Sequence, residues 1–160
     1  MVKKCKKTNP IDSEKAVEFY NRAVVLHQYN QLSESESSYR SAIKLNPEFA
    51  EAYNNLGNVL KEQGRLKEAL AQYRKASKIY PDHPILLNNI GNVLFFLGET
   101  TQAIKYLSKA TELDSTYTEA FNNLGNACCE NGEYDKAITA YTNALVLNPN
   151  IPATHKNLAE

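Results

Sequence analysis

Residues 52–81 read AYNNLGNVLKEQGRLKEALAQYRKASKIYP, and the same order of residue types returns every 34 residues along the chain. Outward from Asn55, the asparagines Asn21, Asn89, Asn123 and Asn157 stand at that one interval. A polar amide held in register with an apolar pattern marks a supersecondary unit copied in tandem, because only stacked copies keep a side chain on the same face each time. Taking Ala16, Ala50, Pro84 and Thr118 as first positions gives units 16–49, 50–83, 84–117 and 118–151, with a partial fifth unit, 152–160. They form one domain, 12–160, behind a basic N-terminal segment, 1–11.

Each unit repeats the same contrast of large and small. Position 7 is Leu56, Ile90 and Leu124, followed at position 8 by Ala23, Gly57, Gly91 and Gly125. Position 20 is Ser35, Ala69, Ala103 and Ala137, and position 27 is Ala42, Ala76, Ala110 and Ala144. Small residues at these points let two helices approach closely, while position 4 (Phe19, Tyr53, Leu87, Phe121) and position 24 (Tyr39, Tyr73, Leu107, Tyr141) fill the space beside them. Position 15 is Asn30, Gly64, Gly98 and Gly132, the residue types that tolerate the left-handed conformation ending a helix. A second helix is expected two or three residues later, marked in the first unit by the capping-box spacing of Ser33 and Glu36. Proline at 47, 81 and 149 closes it, since proline cannot continue a helix but readily begins the next segment.

On these residues the chain resembles the tetratricopeptide repeat family over residues 16–149. The resemblance implies an all-α fold of tandem helix-turn-helix units, four and a partial fifth, stacked as a right-handed α-α superhelix with a concave ligand groove. The first unit departs most, with Arg22 in place of leucine at position 7 and Ser35 in place of alanine at position 20, which suggests an end unit with one solvated face.

Positions 2, 5, 9 and 12 of each first helix form one stripe, with positions 6 and 13 beside it, and that stripe is expected to face away from the helix partner. It is rich in amides: Asn54, Asn88 and Asn122 at position 5; Asn21, Asn55, Asn89, Asn123 and Asn157 at position 6; Asn58, Asn92 and Asn126 at position 9. A carboxamide offers donor and acceptor in one plane, so a row of them can hold an extended peptide backbone without reading its side chains. Ile85, Phe95 and Phe96, with Tyr20 and Val24, are the candidate apolar anchors. The alternative is that the asparagines cross-link neighbouring helices.

Within the family, some members clamp the C-terminal carboxylate of chaperone tails with basic residues at position 5 of one unit and positions 2 and 6 of a later one. Here those positions hold Tyr20, Ile85 and Asn89, or Asn54, Glu119 and Asn123, so no cation is available for that role. The position-6 ladder is instead similar to the repeat region of O-linked N-acetylglucosamine transferases, and to bacterial proteins in which such repeats precede a glycosyltransferase or sulfotransferase domain. That similarity implies presentation of substrate proteins. Self-association through the C-terminal end is a further expectation, because the partial fifth unit lacks its second helix.

Other functional classes find little support. Lys plus Arg and Asp plus Glu are 18 each, and four of the lysines (Lys3, Lys4, Lys6, Lys7) lie in the N-terminal segment, so the remainder is mildly acidic and no nucleic-acid or membrane partner is expected. That segment, without an apolar face, reads as a solvated, disordered tail and not as a signal peptide. Cys5, Cys128 and Cys129 lack C-x-x-C spacing, and His27, His83 and His155 are scattered singly, so neither metal nor cofactor is expected. No nucleophile with a base and no phosphate loop can be assembled, so the protein is read as non-catalytic and cytoplasmic.

Overall fold

A computed structural model of the chain describes residues 10–150. The basic residues before Pro10 and the partial fifth unit, with Asn157, lie outside the described residues. Eight α-helices appear among them and no strand: α1 (Pro10–Gln28), α2 (Leu32–Leu45), α3 (Ala50–Glu62), α4 (Leu66–Ile79), α5 (Pro84–Phe96), α6 (Thr100–Leu113), α7 (Thr118–Glu130) and α8 (Tyr134–Leu147). Helices α3, α5 and α7 start on the first position of their units, at Ala50, Pro84 and Thr118. The first helix differs. It begins at Pro10, so Pro10 and Ile11 belong to α1 and not to the tail expected over 1–11.

The turn between paired helices forms as its residue types require. Asn30, Gly64, Gly98 and Gly132 have φ of 58°, 76°, 78° and 75°. Each donates its N–H three residues back, and the next residue donates five residues back, as in Gly98 N to Phe95 O and Glu99 N to Leu94 O, both 2.9 Å. This Schellman pattern satisfies the last carbonyls of the helix. The expected capping box does not form: α2 starts at Leu32 after Gln31, with no side-chain cap. Glu36 instead binds Arg40 at 2.8 Å and Arg65 at 2.6 Å, and although burial alone would raise its pKa, the two guanidiniums hold it below the ordinary value.

The small positions are contact points. All four position-27 alanines are fully buried, and a Cβ on Gly57 or Gly91 would fall 2.5 Å from the Tyr73 ring or 2.6 Å from Leu107 Cγ. Ser35 corrects the expectation of a solvated first unit at this position: it is 0 % exposed, and its hydroxyl donates to the Ala23 carbonyl at 2.8 Å. Arg22 is exposed as expected.

Between units of the repeat, an asparagine or aspartate at position 31 shapes the turn by accepting the N–H two residues on: Asn46 from Glu48, Asp114 from Thr116 and Asn148 from Asn150, at 2.9–3.1 Å. Tyr80 occupies that position in the second repeat and cannot do so. There the chain turns with Asp82 at φ 60°. The helices fall into two compact units that divide between Ile79 and Tyr80. In the first, α1 packs on α2, α2 on α3 and α3 on α4; in the second, α5 packs on α6, α6 on α7 and α7 on α8.

Candidate functional site

The asparagines among the described residues are carried by α1, α3, α5 and α7, and within each compact unit they meet partners that the sequence pattern did not disclose. In the first unit, Asn55 Nδ2 donates to the Tyr20 hydroxyl at 3.0 Å, and Asn54 Nδ2 donates to Asn55 Oδ1 at 3.1 Å. Tyr20 is held against Phe49 and Tyr39, with ring centroids 4.9 and 5.8 Å away. In the second unit, Asn123 Nδ2 donates to Asn88 Oδ1 at 2.9 Å. The rule is the same in both: a position-6 amide spends one N–H on the position-5 side chain of the preceding repeat.

Position 5 itself is more structural than expected. Asn88 is 0 % exposed and donates to the Tyr117 hydroxyl and to Glu119 Oε1, at 3.1 and 3.2 Å. A carboxamide buried with its donors and acceptor satisfied ties helices together, so Asn88 departs from the expected surface contact. Burial pushes the Tyr117 hydroxyl up to about 12. Asn89 is 9 % exposed and already engaged, as are the half-buried Asn54 and Asn122. Asn21 is exposed on α1.

Position 9 corrects another expectation. Asn58 and Asn126 do not turn away from the helix partner; each accepts the hydroxyl of the position-24 tyrosine across the pair, Tyr73 at 2.6 Å and Tyr141 at 2.8 Å. In the third repeat position 24 is Leu107, which has no hydroxyl, and among the described residues Asn92 has no hydrogen-bond partner. Beside it lies a cavity of about 80 Å³ lined by Asn92, Phe95, Phe96, Leu107, Asn123 and Asn126. Phe95 and Phe96 meet edge to face, centroids 5.7 Å apart, and Phe96 is 62 % exposed. Ile85, the other expected anchor on α5, is exposed and does not line this cavity. A larger cleft, about 390 Å³, lies over Phe121, Leu124 and Cys128 and includes none of the predicted asparagines.

The tyrosine partners of position 9 were missed because they act from position 24, read only as core, and Tyr117, the partner of Asn88, stands at position 34, to which the repeat pattern gave no role. The available signal was the shared absence: the one repeat whose position 24 lacks a hydroxyl is the one whose position-9 asparagine is free. Among the described residues no group of three His, Cys, Asp or Glu could hold a metal ion, and no helix is long and apolar enough to cross a membrane. Cys128 and Cys129 are free thiols.

Tetratricopeptide repeat models match residues 25–64, 48–116 and 118–151. With the helix pairs and the buried small positions above, the chain is a member of the tetratricopeptide repeat family. No curated protein sequence matches it. Among solved structures, MamA from Desulfovibrio magneticus RS-1 shares the fold at 21% identity and TM-score 0.84, covering 90% of this chain and 81% of its own. YrrB, described as a tetratricopeptide repeat protein with an unusual peptide-binding site, is 28% identical at TM-score 0.79, covering 91% of this chain and 75% of its own. The first such domain of Spaghetti (RPAP3), solved bound to an HSP90 peptide, is 27% identical at TM-score 0.67, covering 69% and 87%.

Proposed function

We propose that the protein is a non-catalytic interaction module whose asparagine-bearing helix faces hold an extended segment of a partner protein. The observation that carries this reading is the free hydrogen-bonding capacity left after the cross-links are counted. Asn123 spends one N–H on Asn88 and keeps its oxygen and second N–H, and Asn92 keeps its whole carboxamide. Groups so presented match the N–H and C=O of a peptide unit. The peptide-binding relatives, YrrB and the Spaghetti domain, support a ligand of this kind. A chaperone carboxylate is a poor fit, since Tyr20, Ile85 and Asn89 supply no cation. The ladder's similarity to the repeats of O-linked N-acetylglucosamine transferases suggests a substrate protein as one class of partner.

The experiment is a fluorescence titration of a display-selected peptide against the wild-type chain and a variant with Asn55, Asn89 and Asn123 all replaced by alanine. Each bond is worth about 0.5–1.5 kcal/mol net, so loss of three predicts weaker binding by tens-fold. The variant also loses cross-links to Tyr20 and Asn88, so some stability goes with them. Gly98→Ala separates the two effects, because its φ of 78° strains any L-residue by roughly 1–2 kcal/mol while no atom lies within 4 Å of the added Cβ. That control is expected to melt lower yet bind as wild type, and a triple variant that also binds as wild type rejects the asparagine role.

A second reading, self-association, is favoured by one observation: Ile138 on α8 is exposed, whereas Leu70 at the same repeat position is buried. Light scattering that rises with concentration would support it.

A further inference from the structure

The third repeat differs from the second and fourth in a way that bears on which segment is bound and in what register. Tyr73 and Tyr141 are both buried, each lies over a glycine of its partner helix, and each puts its hydroxyl on the position-9 asparagine. Leu107 also lies over a glycine, Gly91, but ends short of where a phenol would reach. Two consequences follow at one place. Asn92 loses the partner that Asn58 and Asn126 have, and about 80 Å³ opens beside it, lined also by Phe95, Phe96, Asn123 and Asn126.

We infer that this cavity is a register-setting pocket that receives one compact aliphatic side chain of the bound segment, such as valine or leucine, while the Asn92 carboxamide pairs with that residue's own backbone amide. The inference rests on the peptide-binding reading above and adds to it the identity of one ligand residue. Size decides first. The cavity is far below the roughly 300–1,000 Å³ of pockets that enclose drug-sized ligands, yet exceeds the roughly 30 Å³ share of one water molecule. Lining decides next: Phe95, Phe96 and Leu107 offer apolar surface for aliphatic carbon beside Asn92, Asn123 and Asn126, which can take a backbone amide, and no ionisable group lines the cavity to pair with a charged side chain, so a buried charge there would be costly. A backbone-reading ladder alone would let a segment slide by one residue without penalty. A single pocket in one repeat fixes the register.

The test uses the full chain and Leu107→Tyr, a substitution that copies the tyrosine-over-glycine pair already present at Gly57 and Gly125. The new phenol fills the cavity and takes the Asn92 carboxamide, as in the sister repeats. Peptides of about 12 residues, long enough to span two repeats as an extended chain, are selected by display on both proteins. Wild type is expected to select one position restricted to valine, leucine or isoleucine, with at least about tenfold loss when that residue becomes glycine. L107Y is expected still to bind but with that restriction gone. The same restriction on L107Y, or a wild-type motif fixed by a charged or aromatic residue, overturns the pocket while leaving the ladder standing.

If wild type selects no peptide, the broader reading fails, and the pocket is judged alone by NMR. N-acetyl-leucine-N-methylamide is expected to shift the Asn92 side-chain amide resonances of wild type saturably, and the glycine analogue is not. No such shift overturns the inference. Asn92→Ala removes a side chain without partners and should fold normally; should L107Y not fold, it serves instead, and it is expected to weaken the selected peptide several-fold while an unchanged affinity counts against the pairing.

Discussion

Gly91 carries the closest approach in the third repeat, with a Cβ there falling 2.6 Å from Leu107 Cγ and 3.2 Å from the Ala103 carbonyl oxygen. Gly91→Leu is therefore expected to lower stability by about 1–3 kcal/mol, because an overpacked side chain pushes α5 from α6. Urea unfolding with circular dichroism measures this, and an unchanged midpoint would mean the pairing is wrong. Such positions were legible because smallness and positive φ are properties of residue type, repeated at Gly64, Gly98 and Gly132. Ser35 was not. A hydroxyl in place of alanine suggests solvent, but its acceptor is the Ala23 carbonyl on the paired helix, which only packing supplies.

At the scale of elements, α3, α5 and α7 each start on the first position of a 34-residue unit, since each helix start is tied to a turn of constant length. The capping box failed for the same kind of reason that Asn88 was misread: Glu36 and Asn88 have better partners brought in from the turns that precede α4 and α7, Arg65 and Tyr117. Local spacing cannot foresee a partner 29 residues away. The tyrosines that bind helices together also carry a pH dependence. Burial pushes the Tyr39 and Tyr117 hydroxyls from the ordinary 10.0 up to about 12, and raises Tyr73 further. Folded tyrosines thus keep protons that the unfolded chain loses above pH 10, so the stabilisation is complete below that pH and disappears as pH rises towards 12. Thermal midpoints are expected to fall steadily across this interval. A midpoint independent of alkaline pH would show that these rings are not buried as described.

For the whole molecule, the repeat pattern disclosed the class of fold and the asparagine rows, but not the division of labour among the eleven amides. Asn88 ties helices, Asn55 and Asn123 cross-link repeats, Asn58 and Asn126 receive tyrosine hydroxyls, and Asn92 is left over. Nothing in a one-dimensional spacing separates these roles, because all eleven share one residue type and recur at fixed repeat positions. The division between Ile79 and Tyr80 was equally hidden, although Tyr80 visibly breaks the run of Asn46, Asp114 and Asn148 at position 31. In the function proposed above, these carboxamides hold backbone amides of a partner. The direct measurement is a backbone scan of the selected peptide, in which each amide in turn becomes an ester and loses its N–H. Affinity is expected to drop about 2- to 10-fold at a periodic subset of positions, as loss of about 0.5–1.5 kcal/mol per bond requires. Esters tolerated at every position would contradict the claim.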